Sequence, residues 1–401
     1  MDIDIIKPLV KPSKSKIVLV VMDGLGGLPR ESDNCTELEA AHTPNLDRLA
    51  KKGICGLQQP VGPGMTPGSG PGHLGIFGYD PIKYKVGRGV LAALGIGFNL
   101  QPGDVAARGN FCTLDEDGAV VDRRAGRIST EKNQELCMLL KNITIPGVEV
   151  FVETVKEHRF LLVLRGKNLS GNLIDTDPQE LGKKPFEPQG LSSEAASTAA
   201  FVSQFLEQVR TVLAQQHPAN MVLLRGFSTR PHWPSMQDAF GLKSAAIAGY
   251  PMYKGVSKLV GMDILETGNT INDEFTTLEK HWNEYDFFYL HVKKTDSAGE
   301  DGDFDRKVSV IEETDRELPR LLNLNPDVIM VTGDHSTPSV MKAHSWHPVP
   351  VLLSSKLCRP DKVDQFGERA CLSGGLGNRF AAVDLMPLAL AHAKRLEKYG
   401  A

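Results

Sequence analysis

The chain has 401 residues, 41% of them apolar, and sets 45 Lys and Arg against 49 Asp and Glu for a formal net charge of −4. That length accommodates two or three domains with a large buried core, and the near balance of charge, free of long one-sign blocks, gives no footing for a nucleic-acid or membrane-surface partner. Six cysteines without a C-x-x-C pair, and no apolar run of roughly 18 residues, point to a soluble cytoplasmic protein with reduced thiols.

The first element is KIVLVVMDG (16–24), a continuous apolar run ending in Asp23. Such a run predicts a strand buried on both faces. TPNLDRLAKKG (43–53) reads as a helix, with Thr43 as N-cap, Pro44 at the first position, Leu46 and Leu49 three apart, and Gly53 as stop. MTPGSGPGHLGIFGYDP (65–81) then surrounds Ser69 with Gly68 and Gly70 and sets His73 four residues on.

The texture changes over about 100–225, where GNFCTLDEDGAVVDRRAGR, VEVFVETVKEHRFLLVLRG and NMVLLRG flank a helical pattern, AFVSQFLEQVRTVL (200–213). Short alternating segments around one amphipathic helix suggest a smaller α+β unit. Long buried strands resume in YDFFYLHVKKTD (285–296), PDVIMVTGDHS (326–336) and HPVPVLLSS (347–355). The expected fold is α/β: a parallel sheet covered by helices, built from 1–90 and 228–401, with an inserted domain over 91–227 and hinges near 85–105 and 225–235.

In open α/β sheets ligands gather beyond the carboxyl ends of strands, and here those ends carry acids and imidazoles. They are Asp23; Asp296 with Glu300; Asp334 with His335; and His344 with His347, just before the last strand. A strand-end Asp alone also serves as a helix cap, and a lone His packs in many cores. Several at one edge repel one another unless cations bind, and mixed carboxylate and imidazole ligation suits Mn²⁺ or Zn²⁺ better than Mg²⁺. Ser69 beside such cations is a candidate nucleophile toward phosphorus, its glycines letting backbone amides approach an anion. Thr66 is the rival hydroxyl, without paired glycines. DGDFDRKVSVIE sets Asp301, Asp303, Asp305 and Glu312 at calcium-loop spacing, but Arg306 stands where that loop requires Gly. A helix start explains the segment better.

The stretches VVMDGLGG, AAHTPNLDRLAKKG, PGSGPGHLGIFGYDP, DRRAGRI, AIAGYPMYKGVSKLVGMD, HVKKTDSAGEDGDFDRKV and VTGDHSTP…AHSWHPVPVLL together resemble the archaeal-type cofactor-independent phosphoglycerate mutases, of the alkaline phosphatase superfamily. The resemblance runs from about residue 16 to about 390, in the family's order. It implies a three-layer α/β/α phosphatase-like domain with two divalent cations, most naturally Mn²⁺, with Mg²⁺, Co²⁺ or Zn²⁺ as alternatives. It also implies an inserted domain that closes over phosphoglycerate, and a reaction without bisphosphoglycerate in which Ser69 becomes phosphoserine. Carried over by motif, Asp23, Ser69, Asp334 and His335 would form one metal site, and Asp296, Glu300 and His344 the other. Glu300 departs from the family, which has histidine there. His347 is left out of both sites. Arg123 and Arg127 would hold the phosphate and carboxylate, and Asp122 a glycerate hydroxyl, with Arg225 and Lys254 as further substrate contacts, while His73 would either position the Ser69 loop or touch the phosphate. A related phosphatase, phosphopentomutase or phosphotransferase would keep the same nucleophile, and a silent binding relative would keep the fold alone.

Overall fold

The structure is a computed structural model that describes residues 2–400. It comprises two compact units, Met1–Lys85 with Trp233–Ala401, and Val86–His232. In chain order the first unit contributes β1 (Ile17–Met22) and β2 (Ile54–Gln59). The second holds β3 (Val105–Leu114), β4 (Val120–Asp122), β5 (Glu149–Lys156), β6 (Arg159–Arg165) and β7 (Met221–Ser228). The chain then returns to the first unit with β8 (Ser244–Ile247), β9 (Asp263–Leu265), β10 (Phe287–Val292), β11 (Val328–Thr332), β12 (Val349–Ser355) and β13 (Gly377–Ala381).

The first unit is built on an eight-stranded sheet of order β13-β2-β12-β11-β1-β10-β8-β9. At its centre β1 runs parallel to β10 and β11, and all six of its residues are buried. Val18, Val20 and Met22 share a core with Ile271, Phe275 and Leu278 of helix Ile271–His281 and with Val310, Ile311, Leu318 and Leu321 of helix Phe304–Asn323. Each such side chain, fully buried, contributes about 1.5–3 kcal/mol. Tyr289 and His291, of opposite parity to Phe288 and Leu290, pack against His73 and Phe77. Helices therefore cover both faces, as the continuous apolar runs require.

Two expectations change in detail. β12 is antiparallel to both β11 and β2, so the sheet is mixed. An apolar run reports double-sided burial and carries no direction. Reversal has a consequence: the residues before β12 lie at the edge where β1 and β11 end. Helix Pro44–Ala50 forms, but Thr43 makes no side-chain cap. The Asp315 carboxylate takes the Asn45 and Leu46 amides instead, at 3.1 and 2.7 Å. The acidic repeat at 301–312 is a helix start, as its sequence suggests: Asp303 accepts from the Arg306 amide at 3.0 Å.

In the second unit β4-β3-β6-β5, with β7 on β3, form an antiparallel sheet. Helix Ala196–Leu213 lays Phe205, Val209 and Leu213 into a core with Phe111, Phe160 and Leu224. Helix Arg88–Gly95 belongs to this unit because Gly89 lies on β3: a Cβ there would sit 2.2 Å from the Ala106 carbonyl oxygen.

Candidate active site

Three parallel strands deliver acids to one edge of the first unit's sheet. β1 ends one residue before Asp23, β10 leads through Lys293 into helix Lys294–Asp301 with Asp296 and Glu300, and β11 leads to Asp334 and His335. The reversed β12 brings His344 to the same edge. Two groups of ligand atoms result, Asp23 with Asp334 and His335, and Asp296 with His335 and His344, each within 4.8 Å. His335 is common to both, a sharing that no local pattern in the chain encodes.

Ser69 is the first residue of helix Ser69–Ile76, whose N-cap Gly68 supplies no side chain. Its hydroxyl is 3.1 Å from His335 Nε2. The helix starts there because Gly72 lets it approach the Asp334 turn: a Cβ on Gly72 would meet the Asp334 carbonyl oxygen at 2.2 Å. A Cβ on Gly68 would meet nothing closer than Pro71 Cδ at 3.9 Å. The close approach to the Asp334 turn therefore falls on Gly72 and not on Gly68. His73 is fully buried, with Nδ1 2.8 Å from the Ser69 carbonyl oxygen and 3.1 Å from Asp334 Oδ2. It bonds the serine's turn and has no exposed surface.

Charge at this edge is concentrated and buried. Asp23, Asp334 and His335 have no solvent exposure. Burial opposes ionisation of Asp23, but Lys293, His291 and His335 outweigh it and hold the carboxyl well below its usual range. Burial keeps His335 below the usual imidazole range, against the pull of Asp334 and Asp23. Asp23 Oδ2 takes the Tyr253 hydroxyl and lies 3.1 Å from Lys293 Nζ, which also bonds Asp296. Asp23 Oδ1 and Asp334 Oδ2 have no hydrogen-bond donor among the described residues. Asp334 Oδ2 is within 3.2 Å of two imidazole nitrogens, yet His73 Nδ1 already bonds the Ser69 carbonyl. Two buried carboxylate oxygens without donors, with an imidazole nitrogen and a hydroxyl beside them, fit a divalent cation.

The second group is more open. His344 Nδ1 is 2.9 Å from the Pro67 carbonyl oxygen, which leaves Nε2 3.5 Å from Asp296 Oδ1 and 3.9 Å from Glu300 Oε1. The Glu300 side chain is 55% exposed and stands at the rim. His347 bonds Ser345 at 3.0 Å and joins neither group. Lys254 lies 3.1 Å from Glu266.

In the second unit the predicted arginines converge on two acids. Arg123 forks onto Asp177 at 2.9 and 2.6 Å, and Arg225 lies 3.4 Å from Asp177 and 3.6 Å from Asp175. Arg88, which no motif marked, shares this field; burial and Arg225 pull its pKa down. Three guanidinium groups over two carboxylates leave a net positive charge for an anion. Arg127 sits at φ +53° in the turn that Asp122 shapes, and Asp122 accepts the amides of Arg124 and Gly126 at 2.7 and 2.6 Å. Asp122 is thus first a turn-forming residue.

A sequence model described as 2,3-bisphosphoglycerate-independent phosphoglycerate mutase matches residues 50–220. A Thermosipho africanus protein named as a probable 2,3-bisphosphoglycerate-independent phosphoglycerate mutase is 54% identical, over 99% of this chain and 98% of its own length. A Thermus thermophilus protein of the same name is 52% identical over 99% of both. Among solved structures, one from Pyrococcus horikoshii has 30% identity and a TM-score of 0.84, covering 97% of this chain and all of its own. A cofactor-independent phosphoglycerate mutase from Thermoplasma acidophilum has 31% identity and a TM-score of 0.71, covering 94% of this chain and all of its own. By sequence along its whole length, this chain belongs to the 2,3-bisphosphoglycerate-independent phosphoglycerate mutase family.

Proposed function

We propose that this chain interconverts 2-phosphoglycerate and 3-phosphoglycerate without a bisphosphoglycerate cofactor, with Ser69 carrying the phosphoryl group between them. The observation that carries this reading is the Ser69 hydroxyl, 3.1 Å from His335 Nε2 beside the donor-free oxygens of Asp23 and Asp334. Divalent cations, Mn²⁺ by the donor set, would be held by Asp23, Asp334, His335 and Ser69 and by Asp296, His344 and Glu300. Bound there, they would lower the serine's pKa and neutralise charge on the transferring group.

The protein's own residues divide the remaining work. Ser69 Oγ bonds to phosphorus as the ester bond to glycerate breaks. Glycerate reorients, and its other hydroxyl takes the phosphoryl group back as the serine bond breaks. The first amides of helix Ser69–Ile76, uncapped by any side chain, suit an incoming phosphate. His73 fixes the serine's turn. Val86–His232 acts as the substrate-binding unit, and Arg88, Arg123, Arg127 and Arg225 supply its positive charge. No helix among the described residues is long and apolar enough to cross a membrane, and the reading places the enzyme with soluble phosphoglycerate.

The test is conversion of 3-phosphoglycerate by purified, Mn²⁺-loaded protein with no bisphosphoglycerate added. Formation of 2-phosphoglycerate supports the reading. Release of inorganic phosphate without isomerisation would make the protein a phosphatase and overturn it.

A further inference from the structure

The hydrogen bonds at this edge continue two residues past His335. Thr337 Oγ1 is 2.8 Å from Asp296 Oδ1 and 2.9 Å from His335 Nδ1. Asp296 belongs to one ligand group and His335 to both, and Thr337 is itself fully buried. A hydroxyl has one proton, and an ionised carboxylate can only accept. The threonine proton therefore goes to Asp296, and Thr337 must accept from His335 Nδ1–H. That fixes the tautomer: the His335 lone pair is on Nε2, facing Ser69 at 3.1 Å, Asp334 Oδ2 at 3.2 Å and Asp23 Oδ1 at 3.4 Å. One hydroxyl thus sets the direction of the imidazole shared by both groups and of a carboxylate in one of them.

The threonine is held from its backbone side. Its amide donates to the carbonyls of Gly24 and Gly26, at 3.2 and 3.0 Å. Its carbonyl accepts from Lys307 Nζ at 2.9 Å, and Lys307, fully buried, also bonds the Gly26 carbonyl at 3.2 Å. A buried lysine on helix Phe304–Asn323 therefore ties the loop after β1 to the loop after β11, and fixes the threonine between them.

We propose that Thr337 is a positioning residue for both ligand groups, its hydroxyl holding His335 in the Nδ1–H tautomer and aligning Asp296, so that cation affinity at this edge depends on that hydroxyl. The inference rests on the metal-dependent reading above. Partners of this kind, one shell outside a metal, change affinity or activity by about 10–100-fold when removed.

The experiment compares Thr337→Val, Thr337→Ala and Thr337→Ser with the parent after removal of metal. Mn²⁺ binding is followed by the EPR signal of free ion, fold by thermal unfolding, and turnover by kcat and KM separately. Val and Ala are expected to lose 10–100-fold in Mn²⁺ affinity and to lower kcat with little change in KM. Ser is expected to stay within about threefold of the parent, because it keeps the oxygen and proton. Backbone bonds to Gly24, Gly26 and Lys307 survive all three changes, and if Val misfolds through its bulk, the Ala and Ser pair decides. Parent-like Mn²⁺ affinity in Ala would overturn the proposal, as would a Ser variant as weak as Ala, which would assign the effect to the methyl group. A parent protein that binds no Mn²⁺ overturns the metal reading itself, an outcome visible before any variant is made.

Discussion

Gly72→Ala tests whether the approach of helix Ser69–Ile76 to the Asp334 turn builds the site. The added Cβ would lie 2.2 Å from the Asp334 carbonyl oxygen and 2.9 Å from its carbonyl carbon, and ordinary contact begins at 3.4 Å. The obstacle is backbone, so helix and turn must separate by 1.2 Å, the difference between 3.4 and 2.2 Å. Overpacking of this kind costs about 1–3 kcal/mol of stability. Its larger effect falls on function, because Ser69 rides on the helix and Asp334 and His335 on the turn. Misplacing a catalytic group by about 1 Å costs on the order of 10²-fold in rate. Gly68→Ala is the control: its Cβ meets only Pro71 at 3.9 Å, and Gly68 has an ordinary φ of −84°. The assay is kcat for 3-phosphoglycerate at saturating Mn²⁺, with thermal unfolding alongside. A Gly72→Ala enzyme within threefold of the parent, or a Gly68→Ala enzyme equally impaired, would refute the argument.

Ser69→Ala should abolish isomerisation, by 10⁴-fold or more on the order of other nucleophile removals, while losing about 1 kcal/mol with the bond to His335; measurable turnover in a rate assay would refute the nucleophile assignment. Glu300→Ala should lose most activity and Glu300→His should retain it with metal preference moved toward softer ions, read by activity against Mn²⁺, Co²⁺ and Zn²⁺; an Ala variant with parental activity and metal content would make Glu300 a bystander. Chelation should inactivate, with Mn²⁺ restoring activity; full activity in metal-stripped protein would contradict the ligand assignment. Burial raises the Glu274 carboxyl to about 8 from its ordinary 4.5, and its Oε2 has no hydrogen-bond partner among the described residues. The folded state therefore keeps a proton that the unfolded chain has released, so this contribution is full below pH 4.5 and is lost as pH rises to about 8, an effect on the order of 4 kcal/mol. Glu274→Gln should flatten that decline in denaturant unfolding measured from pH 5 to 8; an unchanged slope would refute the burial argument.

The sequence announced what depends on local pattern. Apolar runs marked β1, β10, β11 and β12, and the acids and imidazoles at their ends marked the site, because strand ends and ligand chemistry are written in consecutive residues. What depends on distant pairing was hidden. The direction of β12 decides that His344 reaches Asp296, and no periodicity encodes direction. Asp315 caps a helix 270 residues away, so Thr43 looked like the cap. Thr337 and Lys307 lie within the quoted stretches yet drew no role, since a threonine and a buried lysine acquire meaning only from what they face. The paired glycines around Ser69 marked that serine, whereas the close backbone packing against the Asp334 turn falls on Gly72, a residue the pairing did not single out.

The most direct test of the account is to quench Mn²⁺-loaded protein during turnover of 3-phosphoglycerate and map phosphorylation by mass spectrometry of the peptide spanning Met65 to Pro81. The account predicts phosphate on Ser69, absent from Ser69→Ala, and chased into 2-phosphoglycerate when unlabelled substrate follows labelled. Phosphate on Thr66, or a turning-over enzyme that carries no phosphate on this peptide, would contradict it.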